Sequence, residues 1–450
     1  MQVLGIILAA GKGTRMGLTG PKVMQEILGK PLLWYVLKSL EKVADTEVYP
    51  LIGYQRAVIE NYFPEYKDRF IVQESQLGTG HALQMAWPLI EQKKPEYILV
   101  TNGDTPLVEP EHFKLLLDRG KDFDLSFLSL TLENPKDYGR VLRNSNFEVE
   151  RIVESKDLSV QEKAIREVNA GIYCFKFKFL QECLFELKAE NAQKEYYITD
   201  LIGIAKKRGF KVEAVNLGNV SELLGINTVY ELSSQEEFLR QKIVNYWQEQ
   251  GVLIRQPWGV VIGPEVELEK GSVLSGPLHL LGKTRIYASA RIGAYTFIKD
   301  SEIEGTIHEF CHIEGAKVKR GVNVGPYARL RPGAYLEEES RVGNFVEVKK
   351  SRLGRGSKAN HLTYLGDSDI GPGVNIGAGT ITCNYDGKNK HQTIIEEGAF
   401  IGSNTALVAP IKVGKGSLVG AGSTLTKDVP ENTLAIARAK QVILPRKKKS

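Results

Sequence analysis

Cysteine is scarce in this chain of 450 residues, and the four present, Cys174, Cys183, Cys311 and Cys383, form no C-x-x-C pair. That argues against a zinc site and against a disulfide framework, and a reducing, cytoplasmic setting is expected. Long apolar runs are also lacking: none reaches the roughly 18 residues of a membrane span. The first run, Val3 to Ala10, has neither a basic leader nor a cleavage site, so neither membrane insertion nor secretion is expected. There is little excess of either charge. The net charge is +5, and part of it sits in one run, Arg446, Lys447, Lys448 and Lys449, which reads as a solvated tail with anion binding as the alternative. A general nucleic-acid surface is therefore not expected. The Walker A string and the Rossmann G-x-G-x-x-G are both missing.

What is present changes character once along the chain. From residue 1 to about 227, β-like runs alternate with helical periods: VLGIILAA (3 to 10), PLLWYVLKSLEKV (31 to 43), EVYPLIGY (47 to 54), FIVQ (70 to 73), TGHALQMAWPLIEQ (79 to 92) and YILVTNGD (97 to 104). This rhythm predicts an α/β Rossmann-like domain with a mostly parallel sheet, whose ligands bind beyond the carboxyl ends of the strands. Gly11 to Gly17 and Asn102 to Pro106 fall at such ends. Residues 228 to 250 are rich in helix formers and carry Leu232, Phe238, Leu239, Ile243 and Trp247 near helical spacing, predicting a linker helix that Gly251 ends.

From 251 to 450 the period becomes six. Aliphatic residues recur at Ile286, Ile292 and Ile298; at Val324, Leu330, Leu336, Val342 and Val348; at Ile370 and Ile376; and from Ile395 through Ile401, Leu407, Val413 and Val419 to Leu425. A glycine often follows at once, as at Gly293, Gly343, Gly377 and Gly402. Hexads of this kind predict a parallel β-helix of the left-handed, hexapeptide-repeat type, each hexad one flat side with its aliphatic residue inward. The glycine is expected to serve a tight corner through its freedom in φ and ψ. Between Thr382 and Ile395 the polar segment CNYDGKNKHQTI breaks the register, as functional insertions in solenoids do.

The glycine-rich turn of IILAAGKGTRMG (6 to 17), followed by Pro21 and Lys22, places free backbone N–H groups and two cations where phosphates can be cradled. On its glycines alone it equally suits an ordinary strand-to-helix turn. Likewise Asp104 before Thr-Pro suits either a turn or a ligand at a sheet edge. The whole string L-x-x-G-x-G-T-R-M with P-K resembles the signature of sugar-1-phosphate nucleotidyltransferases. Gln73, QLGTGHA (76 to 82), NGDTP (102 to 106), YGR (138 to 140), VES (153 to 155), VNAGIY (168 to 173) and Asn227 follow in order. With the hexads, the chain resembles the bifunctional N-acetylglucosamine-1-phosphate uridyltransferase / glucosamine-1-phosphate acetyltransferase family.

That resemblance implies two transfers. One is attack by N-acetylglucosamine-1-phosphate on the α-phosphate of UTP with loss of pyrophosphate, carried by positioning and charge neutralisation with Mg²⁺. It would assign Asp104 and Asn227 to the metal and Arg15 and Lys22 to the phosphates. Leu8, Ala9, Ala10, Gly11, Gln73, Gly78 and Thr79 would surround the uridine nucleotide, with Asn102 and Gly103 beside Asp104. Gly139, Glu154 and Asn169 would hold the sugar. Asn102 stands where relatives usually carry tyrosine.

The other implied transfer is of acetyl from acetyl-CoA to glucosamine-1-phosphate, which needs a general base. LRPG (330 to 333), NFVEVKKS (344 to 351), NHLTYLGD (360 to 367), VNIGAGT (374 to 380) and CNYDGKNK (383 to 390) resemble that half of the family. His361 would be the base; Arg331 and Lys349 would take the sugar phosphate; Glu347, Tyr364 and Asn375 would orient the hexosamine. Ala378, Asn384, Tyr385, Ser403, Ala421 and Arg438 would line the acetyl-CoA site. Asn360 and the tail after Arg438 depart from the family's pattern. The resemblance further implies a homotrimer with acetyl sites between neighbours, and UDP-N-acetylglucosamine as product, feeding peptidoglycan and lipopolysaccharide synthesis. Two other readings use the same modules: a nucleotidyltransferase whose β-helix only oligomerises, and a non-enzymatic scaffold or exchange-factor subunit. His361 with the Asn384 and Tyr385 loop separates the first from the bifunctional enzyme; the G-x-G-T-R string with Lys22 and Asp104 separates the second.

Overall fold

The structure, a computed structural model, describes residues 2–13, 16–43 and 45–446. Arg15 and Lys447 to Lys449 lie outside the described residues. The chain forms two compact units, Met1–Glu237 and Phe238–Ser450.

In the first unit seven strands make the main sheet in the order Val212–Asn216, Leu125–Thr131, Glu167–Lys176, Tyr97–Asn102, Val3–Ala9, Thr46–Ile52, Ile71–Val72. Neighbours pair in parallel except around Glu167–Lys176, which is antiparallel to both of its own. The period of two in the first strand sorts its side chains: Val3, Ile7 and Ala9 join one apolar cluster, Leu4 and Ile6 another. Each cluster is closed by helices, Leu32–Leu40 and Pro110–Gly120 on one face and Thr79–Lys93 and Asp200–Lys207 on the other. Because Leu8 pairs with Asn102, the loops after these two strands leave the sheet side by side.

The helix Val229–Glu249 opens with a reciprocal cap, in which Glu231 N–H donates to Thr228 Oγ1 and Thr228 N–H donates to Glu231 Oε2, both at 3.1 Å. Glu231 Oε2 also accepts from the Asn227 backbone at 2.8 Å, so the cap fixes the residue just before the helix. Gly251, at φ +88°, follows its end.

The second unit is a left-handed parallel β-helix with sheets of eleven, ten and nine strands on its three sides. The predicted hexads run around the coil: Ile286, Ile292 and Ile298 fall on three different sheets, and each stacks on aliphatic residues of the next coil, Ile303, Ile307 and Ile313. These inward side chains are essentially without solvent exposure and form one continuous core, each worth about 1.5–3 kcal/mol of burial. An unbroken coil takes from 15 residues, as Ile292 to Ile307, to 18, as Val324 to Val342; Ile376 meets Ile401 only 25 residues on, the excess being the insertion.

The reason expected for the hexad glycines holds at Gly325, which has φ +96°, and is corrected at the others. Gly343, Gly377 and Gly402 do not adopt positive φ. They are glycine because the next coil's backbone passes where a side chain would begin: a Cβ at Gly377 would lie 2.5 Å from Ser403 N, and one at Gly402 2.5 Å from Ala421 N. The left-handed residue comes two positions later, at Gly379, Asn404 and Gly422. One step further, a buried hydroxyl returns to the corner glycine's carbonyl, as Thr380 to Gly377 at 2.7 Å and Thr405 to Gly402 at 2.6 Å.

Candidate functional sites

Beyond the carboxyl ends of the first unit's strands lie two adjoining cavities, of about 650 Å³ and about 420 Å³. Leu8, Ala9, Ala10 and Gly11, running off the first strand, line the larger, with Gln73, Gly78 and Thr79 opposite. Gln73 is buried and donates to the Gly78 carbonyl at 3.2 Å. Gly139, Glu154 and Asn169 line the smaller. Thr79, Asn102, Asp104 and Asn227 line both, so the metal pair expected from the sequence stands on their common border. Gly103 lines neither; its N–H donates to Leu8 O at 2.9 Å and ties the two strand-end loops together. Gly13, at φ +64°, lies directly over the stem of Lys22, where any side chain would collide. The Lys22 ammonium donates to Asp104 Oδ2 in a close ion pair and to Asn227 Oδ1 at 2.9 Å. Asp104 Oδ1 is buried and has no hydrogen-bond partner among the described residues.

Those donors suit a hard divalent cation. One carboxylate with an unsatisfied oxygen and one amide oxygen, beside an open cavity, is the sparse oxygen set that Mg²⁺ accepts while keeping waters. No group of three or more His, Cys, Asp or Glu is placed to hold a metal among the described residues.

Around the smaller cavity the structure adds a residue the sequence did not suggest. Thr199, itself buried, donates to Glu154 Oε1 at 3.0 Å. Burial pushes the Glu154 carboxyl up, the Thr199 bond opposes this, and Asp200, Asp157 and Glu195 add to the rise. Asp200 is pushed up to about 6, first by burial and then by Asp157. Asn169 is held by Tyr173, whose hydroxyl lies 2.6 Å from its amide nitrogen.

On the β-helix, one corner carries a vertical file of residues two positions after the aliphatic ones: Asn344, His361, Ala378, Ser403 and Ala421, one per coil. The Arg438 guanidinium then donates to Ala421 O at 2.7 Å. His361 Nδ1 lies 2.9 Å from Asn344 Oδ1. A carbonyl oxygen only accepts, so Nδ1 carries the proton and Nε2 of the neutral ring is left as the basic atom. Asn344 was not singled out in the sequence, although it stands one coil beneath His361.

On the next side, Glu347 pairs with Tyr364, and Lys349 with Gly366. Arg331 Nη1 donates to Glu347 Oε1 at 2.8 Å. The Asn384 amide donates to Asp367 Oδ2, and a Cβ at Gly366 would lie 2.7 Å from Asn384 Nδ2 and would collide with the Tyr364 hydroxyl. The insertion is a tied hairpin: His391 N–H donates to Asn384 O at 2.9 Å, and Asp386 accepts from the Lys388 and Asn389 backbones and from His391. Tyr385 is exposed on it. Lys390, at its base, holds the Lys349 ammonium below its usual range, with Arg331 adding. Three cations thus face the same place. Asn375 does not join this group, since it pairs with Lys358 of the strand Lys358–His361, on a different side of the prism.

A nucleotidyltransferase-type α/β domain with paired cavities, followed by a hexapeptide-repeat β-helix with a histidine on a functional corner, defines a two-domain transferase. Residues 5–129 match the MobA-like NTP transferase domain and residues 392–427 the hexapeptide repeat of succinyl-transferase. The chain is 49% identical over 449 residues to the bifunctional protein GlmU of Nitratidesulfovibrio vulgaris strain Hildenborough, covering 99% of this chain and 98% of that one. It is 49% identical to that of Oleidesulfovibrio alaskensis, covering 97% and 96%, and 46% identical to that of Carboxydothermus hydrogenoformans, covering 97% and 98%. The chain belongs to the bifunctional GlmU family, and carries both a nucleotidyltransferase and an acetyltransferase domain.

Proposed function

We propose that residues 1–227 join UTP to N-acetylglucosamine-1-phosphate in the paired cavities, and that residues 251–450, after the linker 228–250, supply that sugar by acetylating glucosamine-1-phosphate. The observation that carries the first half is the position of Asp104 and Asn227 on the border of two cavities, one framed by the glycine loop and one by Glu154, Asn169 and Thr199. Reaction between two bound substrates has to occur at such a border. A sugar-phosphate oxygen forms the new bond to the α-phosphorus as the bond to pyrophosphate breaks. Mg²⁺ held by Asp104 and Asn227 would offset phosphate charge; Lys22 and the backbone of the glycine loop bind and align the phosphates. Arg15 is assigned to the same task from its place in the motif.

In the second half, His361 Nε2 takes the proton of the sugar amine as nitrogen attacks the thioester carbonyl, and the coenzyme leaves as its thiol. Arg331 and Lys349, with Lys390, bind the phosphate, and Glu347, Tyr364 and Asn375 orient the ring. Acetyl-CoA runs along the corner file of Ala378, Ser403 and Ala421 to Arg438, beside Asn384 and Tyr385. The residues one step outward from that file favour this path. They form an exposed stack of Tyr295, Phe310, Tyr327 and Phe345, with centroids 5.0, 4.9 and 5.5 Å apart, continue as exposed Leu362 beside His361, and shrink to Gly379, Asn404 and Gly422 beside Ala378, Ser403 and Ala421.

The same exposed stack, and the separation of Asn375 from Glu347 and Tyr364, favour a homotrimer in which neighbouring copies complete each acetyl site. The cytoplasm is the assigned compartment, in keeping with four free cysteines. Among the described residues, no helix is long and apolar enough to cross a membrane. The test is to incubate the protein with glucosamine-1-phosphate, acetyl-CoA, UTP and Mg²⁺: UDP-N-acetylglucosamine, pyrophosphate and free CoA are expected. Asp104→Ala is expected to stop pyrophosphate release while leaving CoA release near wild type. Equal loss of both would refute separate sites.

A further inference from the structure

The Lys22 ammonium is placed between two demands. Its donors go to Asp104 Oδ2 and Asn227 Oδ1, the pair assigned to the divalent ion, and its stem is clamped under Gly13 in the loop assigned to the phosphates. Lys22 and Asp104 are only 12% and 16% exposed at their side chains, so little solvent screens the pair. A divalent ion on this pair would share Asn227 Oδ1 and the Asp104 carboxylate with the ammonium, and the two cations repel one another at that distance.

We propose that Lys22 is a displaceable counter-ion of the metal pair. It neutralises Asp104 in the nucleotide-free protein, opposes entry of a divalent ion alone, and is drawn off to the nucleotide's phosphates when these arrive. Ion and nucleotide binding are thereby coupled through one side chain. The Asp104 carboxylate is charge-paired in both states, first by Lys22 and then by the ion, so neither state leaves a bare charge in a poorly hydrated cavity. The asymmetry of Asp104 agrees with this: one oxygen is committed to Lys22, while the other is buried beside Gly225 and has no hydrogen-bond partner among the described residues, so the carboxylate retains an unmet demand for a cation. The inference rests on reading Asp104 and Asn227 as the metal pair.

The experiment measures Mn²⁺ binding to the full-length protein without nucleotide, following free Mn²⁺ by electron paramagnetic resonance. Lys22→Met and Lys22→Gln are both expected to bind Mn²⁺ more tightly than wild type, by about tenfold or more, the usual size of coupling between competing sites. Adding Asp104→Asn to Lys22→Met should abolish the gain. If neither Lys22 variant gains affinity, the counter-ion proposal is overturned, and the metal-pair reading is judged separately by pyrophosphate release in Asp104→Ala. If the gain persists in the double variant, the ion binds elsewhere and the metal-pair reading itself fails. Using two replacements keeps the result independent of how either one packs.

Discussion

At the scale of single residues, His361, the proposed base, shows how a neighbour one coil away can fix which ring nitrogen carries the proton. Asn344 presents a carbonyl oxygen to Nδ1, and the neutral ring then has its lone pair on Nε2. His361→Ala is expected to lower acetyl transfer by roughly 10²-fold or more, with uridyl transfer unchanged; a wild-type rate of CoA release would assign the base elsewhere. Asn344→Ala should give a smaller loss confined to the same half-reaction.

Asp200 offers a test of a different kind. Its carboxyl is raised from 3.8 to about 6, chiefly by burial and further by Asp157. The folded state therefore holds the proton more tightly than the unfolded state. The stability this contributes is present in acid and is lost as pH rises from about 4 through 6. Asp200→Asn keeps the shape without the charge. Relative to wild type its melting temperature should be higher at pH 8 than the same comparison shows at pH 4, and an identical difference at both values would mean that Asp200 titrates normally.

At the scale of elements, the β-helix corner separates two uses of glycine that look alike in the sequence. Gly402 has no room for a Cβ, whereas Gly422 has open space around it and a φ of +71°. Asparagine already occupies the second kind of position at Asn404 and Asn432. Gly422→Asn should be nearly neutral, and Gly402→Asn should destabilise by about 1–3 kcal/mol, as overpacking does; denaturant midpoints for the two variants decide it. The hexads themselves were legible because nearly every inward position is aliphatic whatever the corner does, buried Thr382 being an exception. The reason for most of their glycines was not, since it lies in the backbone of the next coil, 17 residues on for Gly343 and 26 for Gly377. In the α/β unit, strands and helices followed from their periods, and Asp104 from its strand end. Thr199 left no such trace: it follows the plain string YYI and precedes Asp200 in no motif that points to a site, and only the fold brings it to Glu154. Asn375 was grouped with Glu347 and Tyr364 by motif, but pairing register sets it on another side.

At the scale of the whole molecule, that separation leads to an assembly test. If copies complete one another's acetyl sites, light scattering should give three times the chain mass of 50.1 kDa. Co-assembled His361→Ala and Asn384→Ala chains, each inactive alone, should then regain part of the acetyl transfer, because some interfaces pair two intact halves. A monomer, or no recovery in verified mixed trimers, would refute a shared site.

The corner file also acts as a ruler. Each coil of stacked strands advances about 4.8 Å, so Ala421, three coils above His361, stands roughly 14 Å from it along the axis. On the proposed reading of His361 as the base, its distance from the far end of the file is counted in whole turns of chain. The 384–391 hairpin lengthens one coil without disturbing this count, because it leaves the stack and Ile376 still meets Ile401 in register. A coenzyme lying along the file as proposed would therefore be measured off in steps of one coil.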